Sequence, residues 1–255
     1  MNYPRRNQVR DILLSKPFTT LKELETKFPT VSSMTLRRDI EYFEQQGDVI
    51  KVRKGARAMR FITTTMEQSI SERMNENTEI KRRIAAKAAS FIETGRSIFI
   101  DSGTTSMELA KTVEDNRLSI VTSGPNVAIE LSKNSKIMVH LLGGILSKDN
   151  LSLSGAPALE MINKLNIDVA FIVPSGFSLK DGFTCGNYNE CELKNAIIQK
   201  AGKTVMLLAS SKIKKSLPYT FCNMENVSTI ITDAPLDKQI TKTIKDNKIE
   251  LIIAE

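Results

Sequence analysis

From residue 97 to the end of the chain, short apolar runs alternate with stretches of helical periodicity, and this rhythm constrains the fold more than any other feature. Runs at 97–101, 118–122, 137–142, 169–173, 204–208, 229–232 and 250–253 read as strands. Between them, 106–113, 125–132, 156–164, 190–201 and 236–247 read as helices. Strands and helices in this order predict an α/β domain with a largely parallel sheet. In such sheets ligands bind beyond the carboxyl ends of the strands. No internal repeat or low-complexity tract interrupts the pattern.

The residues at those ends are polar. Asp101-Ser102-Gly103-Thr104-Thr105 follows the first strand and opens a helix. Gly103 permits a tight turn, the three hydroxyls offer hydrogen bonds, and the helix offers free N–H groups with its dipole. A phosphate fits this chemistry, although a hydroxyl-rich turn that merely caps the helix fits the same residues. Thr122-Ser123-Gly124, Gly143-Gly144, Ser175-Gly176, the Gly182–Thr184 segment, the Asn189–Lys194 segment and Ser210-Ser211-Lys212 follow later strands. Each alone is an ordinary loop; together they place hydroxyls, glycines and lysines repeatedly at one edge of the sheet.

The first sixty residues differ in charge. The chain carries +7 overall. Residues 1–60 hold 13 Lys+Arg against 7 Asp+Glu, whereas residues 61–255 hold 23 against 22. Such asymmetry points to a small anion-binding module joined to a neutral body. Residues 7–14 read as a helix stopped by Pro17. A second helix over 20–28 follows a cap at Thr19 or Thr20, and a third runs from an N-cap at Ser32 to Gly47. In the third, Leu36, Ile40 and Phe43 share one face, while Met34, Arg37, Arg38 and Glu41 point away. A tight turn followed by a helix with basic exposure near its N-terminus describes a helix-turn-helix, whose recognition helix enters the major groove by its first turns. Arginine there suits phosphate contact and bidentate reading of guanine. The segment DVIKVRKGARAMRF then reads as a β-hairpin wing with a cationic tip at 53–57, fit for a phosphate backbone or minor groove or, more plainly, for a surface hairpin that keeps the domain soluble.

Several classes are excluded or disfavoured. The three cysteines, Cys185, Cys191 and Cys222, form no CxxC pair, and His140 is the only histidine, so a structural zinc is not expected. The composition calls for no metal or cofactor, and the thiols read as reduced. His140 reads as an edge or core histidine. The polar N-terminus does not resemble a signal peptide, and no apolar run has membrane-spanning length. A cytoplasmic protein without membrane contact is the expectation.

The stretch VSSMTLRRDIEYFEQQG, residues 31–47, resembles the helix-turn-helix signature of the DeoR family of bacterial transcription regulators at Val31, Ser32, Thr35, Leu36, Arg37, Arg38, Asp39 and Ile40. The resemblance continues through Asp101 to Thr105, Gly143 and Gly144, Phe171 to Gly176, Gly182 to Thr184, Glu190 to Lys194, and Ser210 to Lys212. It implies a winged helix-turn-helix over 1–60, a linker over 61–78 and an α/β sensor domain over 79–255. The last is similar to ribose-5-phosphate isomerase and CoA transferases. It further implies a homo-oligomeric repressor, dimer or tetramer, of a carbohydrate operon. Ser32, Ser33, Met34, Thr35, Arg37, Arg38, Lys51, Arg53, Lys54 and Arg57 would meet double-stranded operator DNA. Asp101, Ser102, Gly103, Thr104, Thr105, Thr122, Gly143, Gly144, Ser175, Gly176, Thr184, Glu192, Lys194 and Lys212 would meet a phosphorylated sugar effector. The chain departs from the family at Arg53 and Lys54, which replace a His and a Gly, at Ser123, which replaces an Asn, and at Ala209, which stands where the family has an acid.

Two other readings remain open on residues alone. Asp101, Glu190, Glu192, Lys194 and Lys212 could serve as acid and base groups of a sugar-phosphate isomerase. A general architectural DNA binder is the third, which the neutral α/β part fits poorly.

Overall fold

The structure is a computed structural model that describes residues 3–16, 18–46, 48–52, 54–58 and 70–255. The chain divides into two compact units, Met1–Met66 and Glu67–Glu255.

The first unit contains α1 (Tyr3–Ser15), β1 (Phe18–Thr20), α2 (Leu21–Lys27), α3 (Ser33–Gln45), β2 (Val49–Val52) and β3 (Gly55–Ala58). The helices start where side-chain chemistry starts them. Thr20 accepts the Glu23 N–H at 3.1 Å, and the Glu23 carboxylate accepts the Thr20 N–H at 2.8 Å. This reciprocal pair satisfies two N–H groups the helix would otherwise leave bare. Ser32 does the same for α3, its hydroxyl accepting the Thr35 N–H at 3.3 Å. The stops expected at Pro17 and Gly47 lie outside the described residues. Val9, Leu13, Leu24, Leu36, Ile40, Phe43, Val49 and Ala56 form one core. Charge also fastens α1 to α3: buried Asp39 receives Arg5 at 3.0 Å and Arg6 at 2.9 Å. Arg10 pairs with Asp48 at 2.7 Å, tying α1 to the base of the wing.

β1 was not expected; three residues between two helices carry no readable alternation. It makes a three-stranded sheet in the order β1-β3-β2. It also explains Gly55, which is the first residue of β3 rather than the wing tip. A Cβ there would lie 2.1 Å from the Thr19 carbonyl oxygen.

The second unit is a three-layer α/β/α domain. It comprises α4 (Ile70–Asn75), α5 (Thr78–Ala89), β4 (Ser97–Ile100), α6 (Thr104–Thr112), β5 (Leu118–Thr122), α7 (Pro125–Leu131), β6 (Ile137–Leu141), β7 (Ile145–Ser147), β8 (Ser152–Ser154), α8 (Ala156–Asn163), β9 (Ile167–Ile172), β10 (Gly176–Ser178), β11 (Gly182–Cys185), α9 (Tyr188–Lys200), β12 (Ala201–Leu207), β13 (Tyr219–Cys222), β14 (Thr229–Thr232), α10 (Lys238–Asp246) and β15 (Glu250–Ile253). The seven runs expected as strands form one sheet in the order β15-β14-β12-β9-β4-β5-β6, every neighbour parallel. Ile98, Ile100, Ile120, Phe171, Val205 and Ile231 pack on one face with residues of α5, α6 and α7. Phe99, Val121, Ala170, Ile172, Met206 and Ile230 pack on the other with α8, α9 and α10. Both faces are covered, which is why these strands read as nearly continuous apolar runs.

The sheet grows in both directions from β4: first to β5 and β6, then from β9 outward to β15. The β4/β9 junction is therefore the topological switch point, where crossovers diverge and leave a crevice at the carboxyl edge. Over that edge lie a small antiparallel sheet, β10-β11-β13, and the hairpin β7-β8. Neither was read from sequence, since their strands are only three or four residues long. Of the expected linker, 61–69 lies outside the described residues. The next residues form α4, whose buried Ile70 donates its N–H to the Asp149 carbonyl at 2.7 Å.

Gly55→Ala should destabilise the first unit by about 1–3 kcal/mol, because β1 must move off β3. Hydrogen exchange of the β1 and β3 amides in the full chain should rise while that of the seven-stranded sheet stays unchanged. Equal protection in both proteins would show that the close approach carries no strain.

Candidate functional site

Two surfaces bring chemistry together, one in each unit. In the first unit, the buried side of α3 holds Leu36, Asp39, Ile40 and Phe43. Helical phase then turns Ser32, Ser33, Met34, Arg37 and Arg38 outward, and all five are exposed. Met34 is 63% exposed, unusual for a large apolar side chain. Among the described residues neither Arg37 nor Arg38 forms an ion pair or hydrogen bond. Thr35 is half-buried, its hydroxyl 2.9 Å from that of Ser32. A small groove between α3 and the wing is lined by Arg37, Lys51 and Lys54 beside Leu21, Ile40, Val52 and Gly55. Lys54 and Arg57 are exposed on the wing. Lys51 is committed internally to Glu41 of α3, whose carboxyl it holds below the ordinary range by hydrogen bond and charge. Arg53 lies outside the described residues.

In the second unit, the centre of the switch point is a buried ion network. Lys194, on α9, reaches Asp101 at 2.5 Å and Glu190 at 3.3 Å and donates to the Val173 carbonyl at 2.7 Å. Three donors meet three acceptors, which leaves the ammonium nothing to offer a ligand. Asp101 also accepts the N–H groups of Ser102 at 2.8 Å and Val173 at 3.0 Å, tying the end of β4 to the end of β9. Glu190 receives the Asn150 amide at 2.5 Å, and Asn150 accepts the Ser152 hydroxyl at 3.0 Å. Burial alone would lower the Lys194 pKa; the charges of Asp101 and Glu190 outweigh it and hold the ammonium above its ordinary range.

Above this network opens a cleft of about 210 Å³ lined by Thr104, Thr105, Val173, Pro174, Leu207, Ala209, Ser211 and the cations Arg73, Lys81, Lys212 and Lys215, with Glu76 and Asn77 at its α4–α5 side. The N-terminus of α6 faces it. Gly103 is the N-cap at φ +109°, open space surrounds its Cβ position, and no side chain caps the helix. That backbone favours glycine and leaves the first N–H groups of α6 without an intrahelical partner. Together with the cationic walls, they offer the kind of donors that suit an anion. Lys81 is buried, and its ammonium is held by the carbonyls of Arg73 and, at 2.5 Å, Glu76. Burial, then the Arg73 charge, lowers its pKa.

The sequence-expected residues therefore fall into groups. Thr104, Thr105 and Lys212 line the cleft. Asp101 and Lys194 lie buried behind it. Ser102 is also buried, its carbonyl accepting the Ser106 hydroxyl at 3.3 Å. Ser175 is buried at the end of β9. Gly176 and Thr184 are positional: the Thr184 hydroxyl accepts the Leu217 N–H at 3.0 Å, and Gly176 lies under the Lys215 backbone. They fix the loop that carries Lys212 and Lys215. Thr122 spends its hydroxyl on the Gly124 N–H at 3.1 Å. Gly143 and Gly144 are exposed between β6 and β7 and are absent from the cleft lining. Glu192 is not brought to the site: it is exposed beside Tyr188, whose hydroxyl it raises above the ordinary range by hydrogen bond and charge. Its place is taken by Glu190, whose four-residue spacing from Lys194 puts both on one helix face. Arg73, Lys81, Lys215 and Asn150 carried no sequence signal. Ala209 lines the cleft as a methyl. Beyond it Asp233 accepts the Ser210 N–H at 2.6 Å and hydroxyl at 2.7 Å.

A winged helix-turn-helix on one chain with a three-layer α/β domain defines a DNA-binding regulator with an appended sensor-type domain. Residues 5–60 match the DeoR-like helix-turn-helix domain and residues 76–234 the DeoR C terminal sensor domain. The chain belongs to the DeoR family of transcriptional regulators. It is 30% identical over 254 residues to the HTH-type transcriptional regulator GolR of Listeria innocua, covering 99% of each chain. It is also 30% identical to the HTH-type transcriptional repressor GlcR of Bacillus subtilis, covering 88% of this chain and 86% of that one. Ribose 5-phosphate isomerase A of Methanocaldococcus jannaschii gives a looser likeness, with TM-score 0.41 and 14% identity over 54% of this chain and 55% of the other. The relatives' role is regulation of transcription, which does not favour the isomerase reading. Among the described residues no helix is long and apolar enough to cross a membrane.

Lys194→Met leaves two buried carboxylates without their cation and should cost about 3–5 kcal/mol. Because the folded pKa of Lys194 is raised, its contribution is complete below the ordinary lysine value of about 10.4 and is lost only as pH rises beyond it. Denaturant melts should show this deficit narrowing as pH rises beyond about 10.4. A deficit that widens there would contradict the assigned network.

Proposed function

We propose that this protein is a repressor of a carbohydrate-utilisation operon, acting in the cytoplasm as a homo-oligomer and released from its operator by a phosphorylated sugar or related metabolite. The observation that carries the reading is the uncapped N-terminus of α6 facing a cleft with four cations, on a chain that begins with a DNA-binding unit. The names of relatives support it: GlcR is named a repressor, and a relative from Escherichia coli is named a putative aga operon transcriptional repressor.

In this reading residues 1–60 bind DNA, 79–255 sense the effector and 61–78 join them. Ser32, Ser33, Met34, Thr35, Arg37 and Arg38 meet the major groove. Arg53, Lys54 and Arg57 meet phosphates from the wing, and Lys51 does so only by sharing itself with Glu41. The effector's phosphate sits on the first N–H groups of α6 and the Thr104 and Thr105 hydroxyls, with Lys212, Lys215 and Arg73 around it. Asp101 and Lys194 shape the floor without touching the ligand. Arg73 belongs to α4, within the joining stretch, so an anion in the cleft acts on the segment that leads toward the DNA-binding unit. DNA and effector then weaken each other equally, and a coupling of about 1–3 kcal/mol changes operator affinity roughly 5–150-fold.

The test is fluorescence anisotropy with DNA from upstream of the protein's own gene, followed by phosphorylated sugars beside their unphosphorylated parents. Release by one ester and not by its parent is the expected result; specific binding that no ester alters would remove the sensor reading for that panel. Arg38→Ala should abolish specific DNA binding while the effector still raises the melting temperature. Unchanged operator affinity would displace α3 as the recognition helix. Thr104→Glu puts a carboxylate at the phosphate position. It should leave operator binding intact and block release, and an undiminished thermal shift with the ester would place the phosphate elsewhere.

A further inference from the structure

β6 ends the large sheet on one side and β15 ends it on the other, and the two edges are built differently. β15 opens with a charge: Glu250 lies 3.7 Å from Lys203 and accepts the Thr229 hydroxyl at 3.1 Å. β6, Ile-Met-Val-His-Leu, carries no Asp, Glu, Lys, Arg or Pro. Charges and prolines are how proteins keep an edge strand from pairing with another chain, and an apolar edge without them is normally covered. Met138 of β6 is 63% exposed. Beside it in sequence, Ile129 of α7 is 68%, Ile145 of β7 65% and Leu146 of β7 51% exposed. Large apolar side chains thus stand in water on three consecutive elements, with β6 in the middle.

The backbone says what could cover this edge. The Leu142 N–H donates to the Thr122 carbonyl of β5 at 3.0 Å. Strand alternation therefore directs the even-numbered residues' hydrogen bonds toward β5 and turns the N–H and C=O of Ile137, Val139 and Leu141 outward. Among the described residues no other strand pairs with that side. An odd-numbered set centred on Val139 is self-complementary. In an antiparallel two-fold pairing, Val139 exchanges both hydrogen bonds with its own counterpart and Ile137 does so with Leu141, while Met138 packs across from His140. A two-fold contact must be made of the same patch on both copies, and this strand satisfies that without opposing like charges. The need for two copies comes from the other unit: a helix-turn-helix protein reads two half-sites as a dimer.

We infer that the β6 edge is the dimer interface, occupied by β6 of a second copy of this chain in antiparallel pairing, with Met138, Ile145 and Leu146 packed beside it. The inference does not depend on the identity of the effector.

Multi-angle light scattering and sedimentation of the full chain test it. The wild-type protein should be a dimer or a multiple of one. Val139→Pro removes an outward N–H, a substitution an edge strand tolerates, and Met138→Lys adds a guarding charge at an exposed side chain. Each should weaken dimerisation at least about tenfold, or 1.4 kcal/mol, with unchanged far-ultraviolet circular dichroism. Ile253→Lys on the opposite edge should leave assembly unaltered. Should Val139→Pro fail to fold, Met138→Lys alone decides. A monomeric wild type, folded edge variants that dimerise as tightly as wild type, or disruption by Ile253→Lys equal to that at β6 would each overturn the assignment.

Discussion

The charge of Lys194, buried between Asp101 and Glu190 and bonded to the Val173 carbonyl, ties the sensor-type unit together at its topological switch point. At the switch point β4 and β9 send their crossovers apart, so no loop closes the gap between their ends. A cation with three acceptors from β4, α9 and the strand-end of β9 closes it instead. Asp101 completes the tie by accepting N–H groups from both strand ends. Charges this deeply buried are tolerable only when fully paired and hydrogen-bonded, and here each polar atom named has a partner. The network is therefore a floor, and what it supports is the open N-terminus of α6 above.

That division of labour accounts for the chemistry of the cleft. Asp101, Glu190 and Lys194 are sequestered, while the cleft is lined by Thr104 and Thr105 at the start of α6, by cations from two helices and one loop, and by Glu76 at its rim. Helix N–H donors, hydroxyls and cations are groups whose chemistry suits an anion. Ala209 fits the same description, since it lines the cleft with a methyl rather than a carboxylate. In the DNA-binding unit the logic repeats at smaller scale. Asp39 is buried and neutralised by Arg5 and Arg6, which leaves Arg37 and Arg38, its neighbours in sequence, projecting outward.

Much of this was legible before folding. The seven strands of the large sheet are buried on both faces, and burial on both faces writes a continuous apolar run that needs no context to be read. Ser32 and Thr20 announce helix starts because capping is a local interaction. The small strands β1, β7, β8, β10, β11 and β13 left no such mark: each is only three or four residues long, too short for an alternation to show, and β1 and β13 pair with partners distant in sequence. Gly55 falls in the expected wing tip, yet the constraint on it is the Thr19 carbonyl across the sheet. Glu190 and Glu192 are equivalent in a motif; which one meets Lys194 depends on which face of α9 is buried.

The sequence by itself determined the class of fold, the amphipathic third helix with its outward arginines, and the hydroxyl-glycine turn after β4, because periodicity, capping and turn chemistry act over a few residues. Only the tertiary structure decided which polar groups share the cleft. Arg73, Lys81, Lys212 and Lys215 come from four places on two distant segments. Their convergence is set by crossovers and loop anchoring, such as Thr184 holding Leu217, and no local pattern encodes a meeting of chain segments more than a hundred residues apart.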